Sequence, residues 1–251
     1  MDLAGKVALV TGGSGDIGGA IARALATAGA DVGVTYVGSV GRASSTVDAV
    51  QAIGSRSVAF QLDQRDPAAV EACVEKIVGE LGRLDILVNN AAWNIGIPFG
   101  DLTALNADVW DRMYETNLRG PYLLSRVFAP ELRRLKAGRI VNIASLAGLI
   151  PAGSSIAYAS CKAALIHLTH CLAVAMAPDV TVNCIAPGLV EGTRMAENVP
   201  EEIKQQVRSQ AVLGRTGSAQ DIANQVVTFC RAESVTGQVI VVDGGVPGGM
   251  R

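Results

Sequence analysis

Tyr158 and Lys162 stand four apart in Tyr158-Ala159-Ser160-Cys161-Lys162, at the start of a long apolar stretch. On a helix that spacing puts the phenol and the ammonium on one face. A phenol with a pKa near 10 is a poor acid–base catalyst at neutral pH, and an adjacent ammonium draws it toward the operating range. Taken alone, the pattern equally describes a solvated helix pair. Its neighbours add weight. Ser145 follows the apolar run Arg139-Ala144, and Asn89-Asn90-Ala91 follows Ile86-Val88. Both therefore fall at strand C-terminal ends, where doubly wound sheets bind ligands. Asn117 interrupts a helical pattern over Asp108-Leu124. A mid-helix Asn is locally unfavourable, so it either caps a break or has a buried polar task.

A second constellation lies near the N-terminus. Val7-Val10 runs into Thr11-Gly12-Gly13-Ser14-Gly15-Asp16-Ile17-Gly18-Gly19 and then a helix. Strand, glycine turn and helix N-terminus form the context in which backbone N–H groups and positive potential hold a pyrophosphate. Gly12, Ser14, Ile17 and Gly18 are the expected contacts. Asp16 suits the first helical turn by charge but would repel a pyrophosphate there. Asp16→Gly is therefore expected to tighten dinucleotide binding. At the end of the second strand, Thr35-Tyr36-Val37-Gly38-Ser39 offers no acid to hold a ribose 2′-hydroxyl. Tyr36, Ser39 and Arg42 could instead face a 2′-phosphate, which favours NADP(H) over NAD(H).

These groups need a frame, and the patterning supplies one. Strands are predicted at Val7-Val10, Val32-Tyr36, Ser57-Gln61, Ile86-Val88, Arg139-Ala144, Val180-Ile185 and Val239-Val242. Helices are predicted at Ile17-Ala28, Ala43-Ile53, Pro67-Leu81, Asn106-Leu135, Tyr158-Met176 and Ala219-Cys230. Strand–helix alternation implies a parallel sheet with helices on both faces. The expected fold class is α/β, one Rossmann-type doubly wound sheet of about seven strands spanning 1–251 as a single domain. Gly188-Leu213 reads as an irregular loop, too long for an ordinary connection and suited to substrate binding.

Composition excludes several classes. The chain has 251 residues, 28 glycines without a Gly-X-Y period, and 49% apolar content, which rules out collagen and disorder. Lys plus Arg number 21 against 23 Asp plus Glu, and no basic block exceeds Arg133-Arg134, so no nucleic-acid partner is expected. No apolar run approaches the ~18 residues of a membrane span, and no secretory leader is evident. Cys73, Cys161, Cys171, Cys184 and Cys230 lack metal-ligand spacing and read as buried, reduced thiols of a cytoplasmic protein; no metal is expected.

Taken together, Thr11-Gly12-x-x-x-x-x-Gly18, Asn89-Asn90-Ala91, Asn117, Ser145, Tyr158-x-x-x-Lys162, Pro187-Gly188 and Val242-Asp243-Gly244-Gly245 resemble the short-chain dehydrogenase/reductase family over essentially the whole chain. Ser145 precedes Tyr158 by thirteen residues, the family's spacing. The resemblance implies NAD(P)-dependent interconversion of an alcohol and a carbonyl. It implies that Tyr158 is the general acid or base, that Ser145 polarises the carbonyl, and that Lys162 lowers the Tyr158 pKa and binds the nicotinamide ribose. Asn117 would hold a water linking Lys162 to solvent. Asp63 would contact adenine, Asn90 and Ala91 would lie under the cofactor, and Pro187, Gly188, Val190 and Thr193 would approach the nicotinamide end. Three departures stand out: Asp16 replaces the middle glycine, Ala92 replaces a glycine, and Thr193 follows Gly188 one residue late.

Trp93, Ile95, Leu146, Leu189 and Met195 outline an expected apolar substrate pocket. The chain is similar to 3-oxoacyl-(acyl-carrier-protein) reductases, and Arg133-Arg134-Leu135-Lys136 could face an acidic carrier. Pro178-Asp179 stands where carrier-using reductases tend to be basic. The favoured expectation is a reductase of small, free ketones or alcohols, with acyl-carrier reduction as the alternative. A non-catalytic dinucleotide-binding sensor, motivated by Asp16, is the rival from another class. The resemblance also implies a homotetramer, with Asn106-Leu135 and the C-terminal strand as interfaces.

Overall fold

The structure, a computed structural model, describes residues 1–249. Seven strands form one parallel sheet in the order β3-β2-β1-β4-β5-β6-β7. They are β1 Val7–Val10, β2 Asp31–Tyr36, β3 Ser57–Gln61, β4 Ile86–Asn89, β5 Gly138–Ile143, β6 Val180–Pro187 and β7 Val239–Val242. Every neighbouring pair is parallel. The chain order reverses between β1 and β4, which creates the crevice at their C-terminal ends where such sheets bind ligands.

Side chains alternate between two apolar layers, as the pleat requires. Ala8 and Val10 face a cluster with Ile21, Leu25, Ile222, Val226 and Phe229, whereas Val7 and Leu9 face Val70, Ile77, Leu124, Phe128 and Leu132. The first layer is supplied by α1 (Asp16–Thr27) and α9 (Ala219–Arg231), with α2 (Val40–Ile53) beside them. The second is supplied by α3 (Pro67–Leu81), α5 (Gly120–Arg134) and α6 (Ile156–Met176). Local chemistry sets the helix starts. Asp66 accepts the Ala68 N–H at 2.9 Å ahead of Pro67, and Ser218 with Asp221 forms a capping box on α9. Ser155, not Tyr158, begins the catalytic helix: its hydroxyl accepts the Tyr158 N–H at 3.2 Å, so α6 starts two residues earlier than expected. α6 is long and apolar enough by composition to cross a membrane, but its buried residues pack on β6 and β5 as a core helix.

Two expectations are corrected. The single helix over Asn106-Leu135 is three pieces: α4 (Ala107–Tyr114), a π-helical turn at Glu115–Arg119, and α5. Pro121 has no N–H for the carbonyl four residues back, and widening the turn accommodates that loss. The stretch Gly188-Leu213 is not irregular throughout, because it carries α7 (Arg194–Glu197) and α8 (Glu201–Gln210). α8 buries none of its residues, and its apolar pattern is limited to the single pair Ile203 and Val207, too short to mark a core-facing helix.

Candidate active site

Three of the residues expected to be catalytic, Ser145, Tyr158 and Lys162, assemble where β5 and β6 end. Tyr158 is 8% exposed and Lys162 2%, with Nζ 5.6 Å from the Tyr158 ring centroid. Nζ donates to the Ile143 carbonyl at 2.9 Å, which leaves two ammonium protons for other acceptors. Burial lowers the Lys162 pKa to about 8, opposed by the nearby Cys184 and Cys161 thiols. Burial also pushes the Tyr158 phenol above its ordinary value, and a hydrogen bond with Ser145 offsets part of that rise. In the protein alone desolvation dominates the Tyr158 phenol, and the opposing influence comes from Ser145 rather than from Lys162 as expected. Ser145 caps a short 3-10 turn over Leu146–Gly148, accepting the Ala147 N–H at 3.2 Å. Its hydroxyl lies 3.5 Å from the Pro187 carbonyl, at the limit of a hydrogen bond.

Asn117 has the buried polar task. Fully buried in the π turn, its Nδ2 donates to the carbonyls of Trp93 at 2.8 Å and Met113 at 3.0 Å, and its Oδ1 accepts the Trp93 N–H at 3.3 Å. These bonds use both Nδ2 protons and one Oδ1 lone pair, so the expected water contact falls to the remaining lone pair or to the main chain of Asn117. Its visible role is to fix Trp93, which packs against Met113, Ala147, Ala157, Tyr158 and Cys161. Arg112 stacks on the Trp93 ring at 4.2 Å.

The glycine turn is held to the β4 loop by a compact network. Gly12 has φ +66°, and a Cβ there would lie 2.9 Å from the Ala91 Cα; a Cβ on Gly18 would lie 2.4 Å from the Gly12 carbonyl oxygen. Both positions therefore require glycine. Thr11 Oγ1 accepts the N–H groups of Asn90 and Ala91 at 3.0 and 2.9 Å, and Asn90 Nδ2 donates to the Thr11 carbonyl at 2.8 Å. No side chain caps α1, so its first N–H groups, led by Asp16 and Ile17, are presented to the crevice. A dinucleotide pyrophosphate fits that donor set.

The remaining sequence-expected residues divide. Arg42 Nε donates to the Ser14 carbonyl at 3.2 Å and Arg42 Nη2 to the Ser39 hydroxyl, so Ser14, Ser39 and Arg42 do meet, at the end of β2 where Tyr36 stands. Asp63 is gripped by Arg65 through Oδ1 to Nε at 3.0 Å and Oδ2 to Nη2 at 2.6 Å, which holds its carboxyl below the usual range. Thr193 caps α7 and donates to the Val190 carbonyl at 2.7 Å, so its hydroxyl is engaged within the loop. Val190 is buried, and Gly188 abuts Asp243, where a Cβ would lie 2.6 Å from Asp243 Cβ. Leu146 reaches the turn at Pro247–Gly249, Leu189 is half-buried, and Ile95 and Met195 are exposed. Asp16, the first residue of α1, has its carboxylate engaged by the substrate loop: Oδ2 accepts the Arg194 N–H at 2.9 Å.

Several supports were not foreseen. Buried Gln64 donates to the Ala91 and Thr116 carbonyls at 3.2 and 2.6 Å, joining the β4 loop to the π turn. Thr46 on α2 donates to the Gly13 carbonyl at 2.9 Å. Both act on backbone far away in sequence, and no spacing rule marks such contacts.

Comparison with known proteins decides the class. A family model described as enoyl-(acyl carrier protein) reductase matches residues 13–247. The chain belongs to the short-chain dehydrogenase/reductase family. Such an enzyme is an NAD(P)-dependent oxidoreductase acting on CH–OH groups. A 3-oxoacyl-(acyl-carrier-protein) reductase FabG of Staphylococcus aureus is 36% identical over 244 residues, covering 96% of this chain and 97% of the relative. A dehydrogenase/reductase of Sinorhizobium meliloti superposes with TM-score 0.89 at 36% identity, covering 98% and 97% of the two chains. A short-chain dehydrogenase of Burkholderia cenocepacia in complex with NADP superposes with TM-score 0.88 at 38% identity, covering 98% and 99%.

Proposed function

We propose that this dehydrogenase/reductase uses NADP(H) to reduce a small free ketone, or to oxidise the matching secondary alcohol. The observation that carries the reading is buried Tyr158 and Lys162 with half-buried Ser145 beside a glycine turn with uncapped N–H groups. Bound NADPH would supply the hydride. Tyr158 gives its phenolic proton to the carbonyl oxygen, and Ser145 donates a hydrogen bond to the same oxygen. Lys162 holds a cofactor hydroxyl and supports ionised Tyr158 when the proton has left. Ser14, Ser39 and Arg42 supply donors for a 2′-phosphate, and the absence of an acid between Tyr36 and Ser39 leaves nothing there to repel one. Trp93, Leu146, Leu189, Ile95 and Met195 border the substrate space.

Acyl-carrier reduction is the second reading, favoured by the FabG relatives. Arg133 and Arg134 of the basic stretch expected to meet a carrier are exposed and make only surface contacts within the chain. Arg134 pairs with Glu131 at 2.6 Å, and Arg133 donates to the Ala175 carbonyl at 2.6 Å. Such exposed contacts carry little weight, so the free-substrate reading rests on Pro178-Asp179, where carrier-using reductases tend to be basic. We also place the enzyme in the cytoplasm as a homotetramer. Free thiols throughout support the compartment, and two outer grooves of about 540 and 310 Å³ along α5 and α6, bordered by Tyr114, Tyr122 and Leu172, support the assembly. Neither groove borders Tyr158, so they are surfaces for packing rather than catalysis.

NADPH consumption with a panel of small ketones, set beside 3-oxoacyl chains on a carrier protein, tests the reading. A kcat/KM higher for the ketones, lost in Tyr158→Phe with NADPH binding retained, is the expected result. Higher kcat/KM on the carrier substrate overturns the ketone assignment. NADPH binding without turnover of any carbonyl overturns the enzyme reading in favour of a sensor.

A further inference from the structure

One contact joins opposite lips of the crevice. Asp16 opens α1, directly after the glycine turn, and Arg194 opens α7 in the substrate loop. Asp16 Oδ2 accepts the Arg194 backbone N–H at 2.9 Å and stands 3.5 Å from Arg194 Nε. The partners depart from β1 and β6, which are separated in the sheet by β4 and β5. At ~4.8 Å per strand spacing, those strand ends are about 14 Å apart. The loop therefore reaches back across the strand ends that carry Asn89–Asn90 and Ser145 to meet the phosphate-binding turn. Its base is fastened separately: Arg208 Nε donates to Glu191 Oε1 at 2.8 Å, and Thr216 donates to the same oxygen at 3.1 Å. Between these two fastenings α8 contributes no buried residue that could fix the loop by packing.

A carboxylate at the mouth of an anion site carries a charge cost, because it faces the same potential as the pyrophosphate. The cost has an evident return, since a glycine at 16 would offer Arg194 no acceptor. Arg194 also brings a guanidinium beside the carboxylate. We infer that Asp16 is a positioning residue that straps the substrate loop to the phosphate-binding turn, with the Arg194 guanidinium offsetting the charge this introduces. The strap sets the loop over the crevice before the dinucleotide arrives. This rests on the proposal that the α1 N-terminus receives the pyrophosphate, but the strap itself is a property of the protein alone.

Hydrogen exchange over residues 190–213, measured without cofactor in wild type, Asp16→Gly and Asp16→Asn, tests it directly. NADPH affinity at low and high salt and a KM against kcat comparison with one ketone complete the experiment. Asp16→Gly is expected to raise loop exchange and to bind NADPH about three- to tenfold tighter at low salt, a gain that high salt reduces. Its ketone KM is expected to rise by more than kcat falls. Asp16→Asn keeps an acceptor without charge, so its loop stays protected while NADPH still binds more tightly. Arg194→Gln, which keeps the backbone N–H, is expected to keep the loop protected and to weaken NADPH at low salt. Unchanged loop exchange in Asp16→Gly overturns the strap, as does an Asp16→Asn loop as mobile as that of the glycine variant. Unchanged NADPH affinity in Arg194→Gln overturns the charge offset. Absence of NADPH binding by wild type overturns the pyrophosphate reading instead, and the exchange comparison still decides the strap.

Discussion

Lys162 is the residue where function and folding pull hardest against each other. Its ammonium is buried with one protein acceptor, and its pKa falls to about 8 from 10.5. Because the folded value lies below the unfolded one, this group costs stability in full below pH 8. The cost is relieved as pH rises from 8 toward 10.5, where the unfolded chain holds the extra proton. The shift corresponds to about 3 kcal/mol. Lys162→Met should therefore abolish turnover yet melt at a higher temperature than wild type at pH 7, with the gap closing above pH 8. Denaturation followed across that range reads the effect, and a variant less stable than wild type at pH 7 would contradict it. Arg42 gives a second residue-scale test. Its guanidinium bridges Ser39 and the glycine turn. Arg42→Ala should raise the KM for NADPH about tenfold and leave that for NADH nearly unchanged, since only the 2′-phosphate needs the cation. Tyr158, Lys162 and Ser145 were legible in the sequence because acid–base chemistry demands those residue types, and helix and strand periods fix where they emerge. The partner of Asp16 was not legible, because it lies 178 residues away on a loop with no regular pattern.

At the scale of elements, the π turn between α4 and α5 is the least foreseeable feature and carries the most structural consequence. Asn117 hinted at a break, but the period on either side continues as one helix. The widened turn at Pro121 also buries Asn117 against the chain at Trp93, a tertiary partner invisible to local patterning. Asn117→Ala would leave the Trp93 N–H and carbonyl unpaired, a loss of about 1–3 kcal/mol. It should lower the melting temperature and shift the Trp93 emission toward that of a solvent-exposed indole. The sheet, by contrast, was readable almost residue by residue. β1, β3 and β7 have the expected limits, because short β-branched runs between turns admit few other assignments. α7 and α8 were missed for the opposite reason: a helix that buries little or nothing leaves no apolar stripe.

For the whole molecule, four of the five cysteines are buried and Cys171 is exposed on α6, correcting the expectation that all would be inside. It borders the smaller outer groove with Tyr114, Tyr122 and His167. If those grooves pack against other subunits, wild-type Cys171 reacts slowly with thiol reagents. Tyr122→Glu should then yield a smaller species in sedimentation and a Cys171 that reacts at once. A monomeric wild-type enzyme would contradict the assembly.

The unburied α8 has a further bearing on how this scaffold can change. A segment that adds nothing to the core can be rewritten at little cost to folding, while the hydride and proton machinery rests on strands and helices that stay untouched. This surface helix and the proposed proton machinery thereby occupy separable parts of one chain. Residues 197–210 could be exchanged around the fixed machinery, provided Ala196 and Ala211 keep their buried places and Asp16 still finds an N–H to hold.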